Sequence, residues 1–266
     1  MNNNPFVLNQ LLHITNENYQ KDANYAIAKT ILDNFSNLSA MTIQEVADLC
    51  YVSPASISRF VRYLGYSGFS EFKESCEKSI GIEADYSLEV KKARKEDLQP
   101  IYERFTNHVL CNIETSFKKI DIEQFDRICE RIQKADRIAV FGLEFSNVIG
   151  EHIQSRFARM GKLVDLGLDR KEQLDIAKRL TSRSVALLIT MEGGYLYRNS
   201  EVIDILEQKN CQTVVFTVNP QIKLLQFANE ILVCGLENHN TEARISLLYE
   251  VEMLLMHYSI SYFQNH

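Results

Sequence analysis

At 266 residues the chain is long enough for two domains, each able to bury a core of its own. It has no tryptophan, 10 glycines and a formal net charge of −6, so it offers no broad basic footprint for nucleic acid or anionic membrane. Cysteines at 50, 76, 111, 129, 211 and 234 lack C-x-x-C spacing and read as buried free thiols in a reducing compartment. The six histidines are equally dispersed, so no metal site and no cofactor is expected.

The opening stretch, MNNNPFVLNQ, has neither a charged leader nor a long apolar run, and nothing later is apolar enough to span a bilayer. A cytoplasmic protein without a membrane partner is the expectation. Phe6 to His13 reads as a short helix opened by Pro5. Asp22 or Ala23 to Phe35 reads as a second, with Tyr25/Ala26, Ile31/Leu32 and Phe35 inward. Both would pack as scaffold behind the helices of residues 42–64.

Thr42 to Leu64, TIQEVADLCYVSPASISRFVRYL, reads as a helix, a tight turn and a second helix. Thr42 with Glu45 three residues on makes a capping box, and Ile43, Val46, Ala47 and Leu49/Cys50 give an apolar face. The connection is Tyr51-Val52-Ser53. Ser53 is a good N-cap, and Pro54 sits at the first helical position, where it removes no hydrogen bond. Ile57, Phe60/Val61 and Leu64 form the inner stripe, and Gly65 stops the helix. Facing outward are Ala55, Ser56, Ser58, Arg59, Arg62 and Tyr63, with Ser53 at the start. These are the candidate DNA contacts. Small residues allow close approach, Arg59 reaches a guanine edge with two parallel donors, and Arg62 holds a phosphate. Residues 1–79 hold six Lys/Arg against eight Asp/Glu, so affinity must come from Arg59 and Arg62, with Lys73, summed over two copies.

Phe69 and Phe72 with Glu71, Lys73 and Glu74 suggest a further helix closing the first domain, residues 1–79. Residues 80–100 form a linker whose stretch from 83, EADYSLEVKKARKEDLQP, is rich in both signs of charge and reads as a partly helical tether. Ile101–Ile120 and Ile122–Ala135 are amphipathic helices opening the second domain, residues 101–266. From Arg137 short apolar runs alternate with helical stretches. The runs are 138–143, 163–168, 184–190, 212–218 and 230–235; the helices are Ser146–Met160, Lys171–Thr181, Leu196–Gln208 and Ile222–Phe227. Five such runs argue for a five-stranded parallel sheet between helices. Thr241 to Phe263 is one long helix with Leu247/Leu248, Val251, Leu254/Leu255 and Tyr258 as its stripe.

The run MTIQEVADLCYVSPASISRFVRYLGYSGFSEFK resembles the N-terminal domain of RpiR-type transcriptional regulators, with their T-I-x-E-x-A helix, V-S-x-A-x-I-S-R-F recognition helix and L-G-Y-x-G-F-x-E-F-K tail. The second half is similar to an SIS domain, the sugar-isomerase-type sheet that accompanies this helical domain in such regulators; A-D-R-I-A-V-F-G at 135–142 fits its first strand. The resemblance implies an all-α helix-turn-helix bundle followed by an α/β SIS domain. It also implies a pseudo-palindromic DNA operator, a homodimer or higher homo-oligomer, a carbohydrate-derived effector and control of carbohydrate metabolism genes.

The family's phosphate loops, G-x-G-S-S and S-x-S-G-x-T, are altered here. The first is Gly142-Leu143-Glu144-Phe145-Ser146, followed by Asn147; the second is Thr190-Met191-Glu192-Gly193-Gly194-Tyr195. Gly142, Ser146 and Gly193 are kept, Thr190 replaces a serine, and Glu192 and Tyr195 stand where hydroxyl donors belong. The expected effector contacts are therefore Gly142, Glu144, Ser146, Asn147, Thr190, Glu192, Gly193, Gly194 and Tyr195, around a site hostile to a phosphate dianion. Glu144 and Glu192 also admit a general acid/base reading, which solvated loop glutamates oppose, so no catalytic residue and no enzyme activity is expected. The rival readings are an SIS-domain sugar-phosphate isomerase or related enzyme and a ligand-free dimerisation scaffold.

Overall fold

Capping side chains set the helices of the N-terminal unit. The computed structural model describes residues 7–17, 22–78, 86–236 and 238–263, and the chain divides into units of residues 1–82 and 83–266. The first unit contains α1 (Val7–Glu17), α2 (Ala23–Asp33), α3 (Ile43–Leu49), α4 (Pro54–Tyr63) and α5 (Phe69–Lys78). Asp22 caps α2 by accepting the Tyr25 N–H at 2.9 Å. The capping box of α3 is closed: Thr42 Oγ1 accepts from Glu45 N–H at 3.3 Å, and Thr42 N–H donates to Glu45 Oε2 at 2.7 Å. Ser53 caps α4 by accepting the Ser56 N–H at 3.2 Å, with Pro54 at the first position.

These helices enclose one core, including Leu11, Ile27, Ile31, Leu38, Ile57, Phe60 and Phe72. The inner face of α2 is Ile27, Ala28 and Ile31, not Tyr25/Ala26, because the helix registers from its Asp22 cap. Phe35 lies outside α2, in a 3₁₀ run, Phe35–Ala40, that delivers Leu38 to the core. Leu49 is exposed while Cys50 is buried, because α3 ends there. The ends of α3 and α4 close alike: Tyr51 and Val52 N–H groups bond Asp48 and Ala47 carbonyls, and Gly65 and Tyr66 bond Arg62 and Val61. Pro5 and Phe6, the expected helix start, lie outside the described residues.

The second unit opens with α6 (Leu88–Lys92), a 3₁₀ turn (Lys95–Asp97), α7 (Leu98–Lys119) and α8 (Ile122–Lys134). Then β1 (Arg137–Phe141), α9 (Phe145–Arg159), β2 (Val164–Leu166), α10 (Arg170–Arg179) and β3 (Ser184–Ile189) come in turn. The chain continues through α11 (Gly194–Arg198), α12 (Ser200–Gln208), β4 (Gln212–Thr217), β5 (Glu230–Val233) and α13 (Glu242–Tyr258). The sheet is parallel throughout, in the order β2-β1-β3-β4-β5. Period-2 alternation splits its side chains between two cores. Ile138, Val140, Leu187 and Val214 meet Ile128, Ile153 and Val251 on one face; Ala139, Phe141, Leu188 and Val215 meet Ile176 and Leu206 on the other. The edge strand β5 is tied down by Glu230, whose carboxylate accepts from Arg127 at 3.1 Å and Gln124 at 3.1 Å. Burial works to raise the Glu230 carboxyl, but those bonds and the Arg127 and Arg131 charges hold it below its ordinary value.

Three expectations need correction. The helix expected over Leu196–Gln208 is broken into α11 and α12 at Asn199, a buried residue whose side-chain amide donates to the Tyr195 carbonyl at 3.2 Å. Lys223–Phe227 is 3₁₀ rather than α-helical, and the final helix turns into a π-helical segment at Ser259–Phe263. Leu248 is partly exposed, leaving Leu247, Val251, Leu254, Leu255 and Tyr258 as the buried stripe. Residue 79, the expected end of the first domain, and residues 80–85 of the expected linker lie outside the described residues; from Tyr86 the described chain belongs to the second unit, where Ser87 N–H donates to Asn240 Oδ1 at 2.7 Å and Glu89 pairs with Arg104. Cys111 is exposed and the other five cysteines are buried, all as free thiols. No helix among the described residues is long and apolar enough to cross a membrane.

Candidate functional site

In the first unit the outer face of α4 is presented as its stripe dictates: Ile57, Phe60 and Val61 turn inward, and Ala55, Arg59, Arg62 and Tyr63 are exposed. Ser56 and Ser58 are half-buried. The first turn is ordered by its own hydroxyls, with Ser53 Oγ and Ser56 Oγ 3.0 Å apart. Arg59 Nη2 donates to Ser56 Oγ at 3.2 Å, which holds the guanidinium along the helix toward its N-terminus. Lys73 donates to the Met41 carbonyl at 3.0 Å, so its ammonium is tied to the scaffold.

The second unit has its crevice where strand order reverses. The chain leaves β1 toward β2 on one side and β3 toward β4 on the other, so the C-terminal ends of β1 and β3 flank an opening. The loops 142–146 and 190–194 sit there. Gly142 is obligatory: a Cβ would lie 2.3 Å from Ser146 Cβ. Glu144 is exposed and holds φ 47° and ψ −109°, a conformation natural to glycine. Ser146 and Asn147 are buried in the first turn of α9, and their N–H groups are engaged by the carbonyls of Leu143 at 2.8 Å and Glu144 at 2.9 Å. The helix start therefore offers an anion fewer free donors than an open loop would.

In the second loop, Gly193 takes φ 89° to turn into α11, with Gly194 at its first position. Thr190 Oγ1 accepts the Tyr195 N–H at 3.3 Å. The Glu192 carboxylate is exposed and accepts from Asn238 Nδ2 at 3.3 Å. Tyr195 corrects the sequence reading. Its ring is buried in the core and its hydroxyl donates to Gln173 Oε1 at 2.8 Å, so no side-chain contact to a ligand is available from it. Gln173 in turn donates to the carbonyls of Gly142 at 2.9 Å and Gly167 at 3.0 Å, linking both loops from below.

The start of α13 supplies groups the sequence reading missed. Arg244 lies 5.1 Å from the centre of the Phe145 ring beside the first loop. Glu242 is fully buried; its carboxylate meets His108 Nδ1 at 3.1 Å and accepts the Asn240 N–H. Burial works to raise that carboxyl, yet backbone N–H bonds and His108 hold it low. Asn238, Glu242 and Arg244 lie some fifty to a hundred residues from the loops, and no spacing motif links them.

Residues 8–81 match the family model described as the helix-turn-helix domain of the rpiR family. An HTH-type transcriptional regulator of Providencia stuartii is 28% identical over 225 residues, covering 81% of this chain and 76% of the relative. The NanR protein of Vibrio vulnificus, solved in complex with ManNAc-6P, superposes with a TM-score of 0.55 at 20% identity over 96% of this chain and 92% of its own. The sugar isomerase domain of an RpiR transcription factor from Sphaerobacter thermophilus gives 0.54 at 16% identity, over 62% and 92%. Fold and site thus define a two-unit DNA-binding protein with a crevice-bearing α/β domain. Its first unit is a regulator's helix-turn-helix domain that matches the rpiR family, and its second has the fold of the sugar isomerase domain solved in the Sphaerobacter regulator.

Proposed function

We propose that the chain reads a pseudo-palindromic operator as a homodimer in the cytoplasm, with α4 of each copy in the major groove. The observation that carries this is the outer face of α4: small residues at its start, then Arg59 aligned by Ser56, then Arg62 and Tyr63. Arg59 takes a guanine edge, Arg62 a phosphate, and Ser53, Ala55, Ser56 and Ser58 permit close approach. Arg59→Ala should cost about 1–3 kcal/mol and relax specificity at one position per half-site, whereas Arg62→Ala should weaken all sequences alike and flatten the salt slope. Titrations against a duplex selected from random sequence by the wild-type chain, and against a scrambled one, check this. Wild-type affinity in Arg59→Ala would sink the groove assignment.

The SIS unit serves regulation rather than catalysis in this reading. Its effector is carbohydrate-derived and neutral or cationic, held by the polar groups of Gly142, Ser146, Asn147, Thr190, Gly193 and Gly194 and by Glu144 and Glu192. Two like charges at contact repel by roughly 1 kcal/mol in water and 4 kcal/mol at a partly shielded mouth, and about 1.4 kcal/mol is tenfold in affinity. Two carboxylates against a phosphate dianion multiply that penalty. Calorimetry with hexose and amino-sugar phosphates should show no binding to the wild type, and Glu192→Ser with Glu144→Gly should make the mouth less hostile. Micromolar binding by the wild type would overturn this reading and point to Arg244 as the counter-charge.

A further inference from the structure

Four helices among the described residues end in the same double hydrogen-bonded turn, and three of them use the residue that such a turn favours. The last turn needs a residue in the left-handed region, where a Cβ crowds the following carbonyl. Gly65 after α4, Gly161 after α9 and Asn210 after α12 fill it. After α3 the same position is Tyr51, at φ 55°. The strain is not offset by packing, because Tyr51 is 97% exposed, the most open of the large apolar side chains. A bulky aromatic held in a disfavoured conformation, with its ring entirely in solvent, does nothing for this fold.

Its place gives it something to do. Tyr51 stands two residues before Ser53, the cap of α4, on the turn between the helix that crosses the DNA backbone and the helix that enters the groove. We infer that Tyr51 is a DNA-contacting residue whose phenol donates to a backbone phosphate at the edge of the groove that α4 occupies. The inference rests on α4 lying in that groove. The composition of the first domain makes such a donor useful: with six Lys/Arg against eight Asp/Glu in residues 1–79, neutral hydroxyls must carry part of the positioning that cations supply elsewhere.

The contact has a signature of its own. A phenol carries no charge and releases no counterion, so losing it lowers affinity without changing the salt slope. The test uses the full chain, a duplex of about thirty base pairs (roughly three helical turns) selected by the wild type from random sequence, and a scrambled duplex of equal composition. Tyr51→Phe should weaken binding to both by the same factor, roughly 3–10-fold, as loss of one hydrogen bond implies, with an unchanged salt slope. Tyr51→Gly should weaken binding at least as much while raising the melting temperature of the helical unit. Wild-type binding by Tyr51→Phe while Arg59→Ala binds weakly would overturn the inference. So would a loss confined to the selected duplex, which marks a base contact, or a lowered melting temperature in Tyr51→Gly. Wild-type binding by both Tyr51→Phe and Arg59→Ala would remove α4 from the groove altogether.

Discussion

Glu144 occupies a backbone conformation, φ 47° and ψ −109°, that a side chain enters only under strain of about 1–3 kcal/mol. The neighbouring sequence fixes that shape: Gly142 cannot carry a Cβ, and the Ser146 N–H is bonded to the Leu143 carbonyl. A glycine's loop geometry is thus retained with a carboxylate mounted on it. Glu144→Gly should therefore stabilise the second unit by about 1 kcal/mol, after allowing for the greater freedom of glycine in the unfolded chain. Urea denaturation checks this, and a destabilised variant would show that the carboxylate makes a compensating contact. Tyr195 teaches the opposite lesson. Its position in the second loop was legible from the motif, but its direction was not, since its partner Gln173 lies on α10 and no local spacing pairs them.

At the scale of elements, α13 contains a buried carboxyl whose ionisation opposes folding. Glu250 is buried, its Oε2 accepts no hydrogen bond, and burial pushes its carboxyl up to about 7. The unfolded chain ionises this group near the ordinary 4.5, whereas the folded chain resists until about 7. Stability from this group is therefore fullest below pH 4.5, falls as pH rises from 4.5 to 7, and is level above that. The loss is roughly 3 kcal/mol, at about 1.4 kcal/mol per pH unit. Glu250→Gln should flatten that stretch of the profile, read as the difference in urea midpoint between pH 5.5 and pH 8. An unchanged slope would place the titration elsewhere.

Which elements were legible depends on what marks them. Thr42, Glu45, Ser53, Pro54 and Gly65 announce the ends of α3 and α4 in residue types with local reasons to be there. The strands stand out because both faces of the sheet are covered, so each is a short apolar run. The break at Asn199 was hidden, since no glycine or proline marks it and the side chain that makes it bonds locally to Tyr195. The 3₁₀ run Phe35–Ala40 was hidden because its gain, burial of Leu38, is tertiary. In the crevice, both loops were visible as motifs, while Asn238 and Arg244 arrive through the fold alone.

For the whole molecule, the two units have separate cores. Residues 83–266 should fold alone and self-associate, the exposed Ile245, Leu248 and Met256 of α13 being one apolar surface available for it. Residues 1–82 should be mainly monomeric and bind DNA poorly, since each copy brings so little positive charge. Tight binding should need two half-sites one or two helical turns apart. Light scattering on each fragment and gel shifts with altered half-site spacing check this; a monomeric 83–266 fragment at micromolar concentration would count against it. A cut at residue 101 would be the wrong fragment, because it severs the first turn of α7 and removes the Glu89–Arg104 pair.

The bond from Ser87 to Asn240 has a practical meaning beyond anchoring. Asn240 shares its loop with Asn238, which touches Glu192, and its own N–H is held by Glu242. Ser87 lies where the polypeptide coming from the helix-turn-helix joins the α/β unit. The Ser87 amide is therefore tied to the loop that carries the Asn238–Glu192 contact at the crevice. A ligand of the proposed effector site should change exchange at that single proton with no DNA in the sample, and an unchanged rate at saturating ligand would show that the loop does not respond to it.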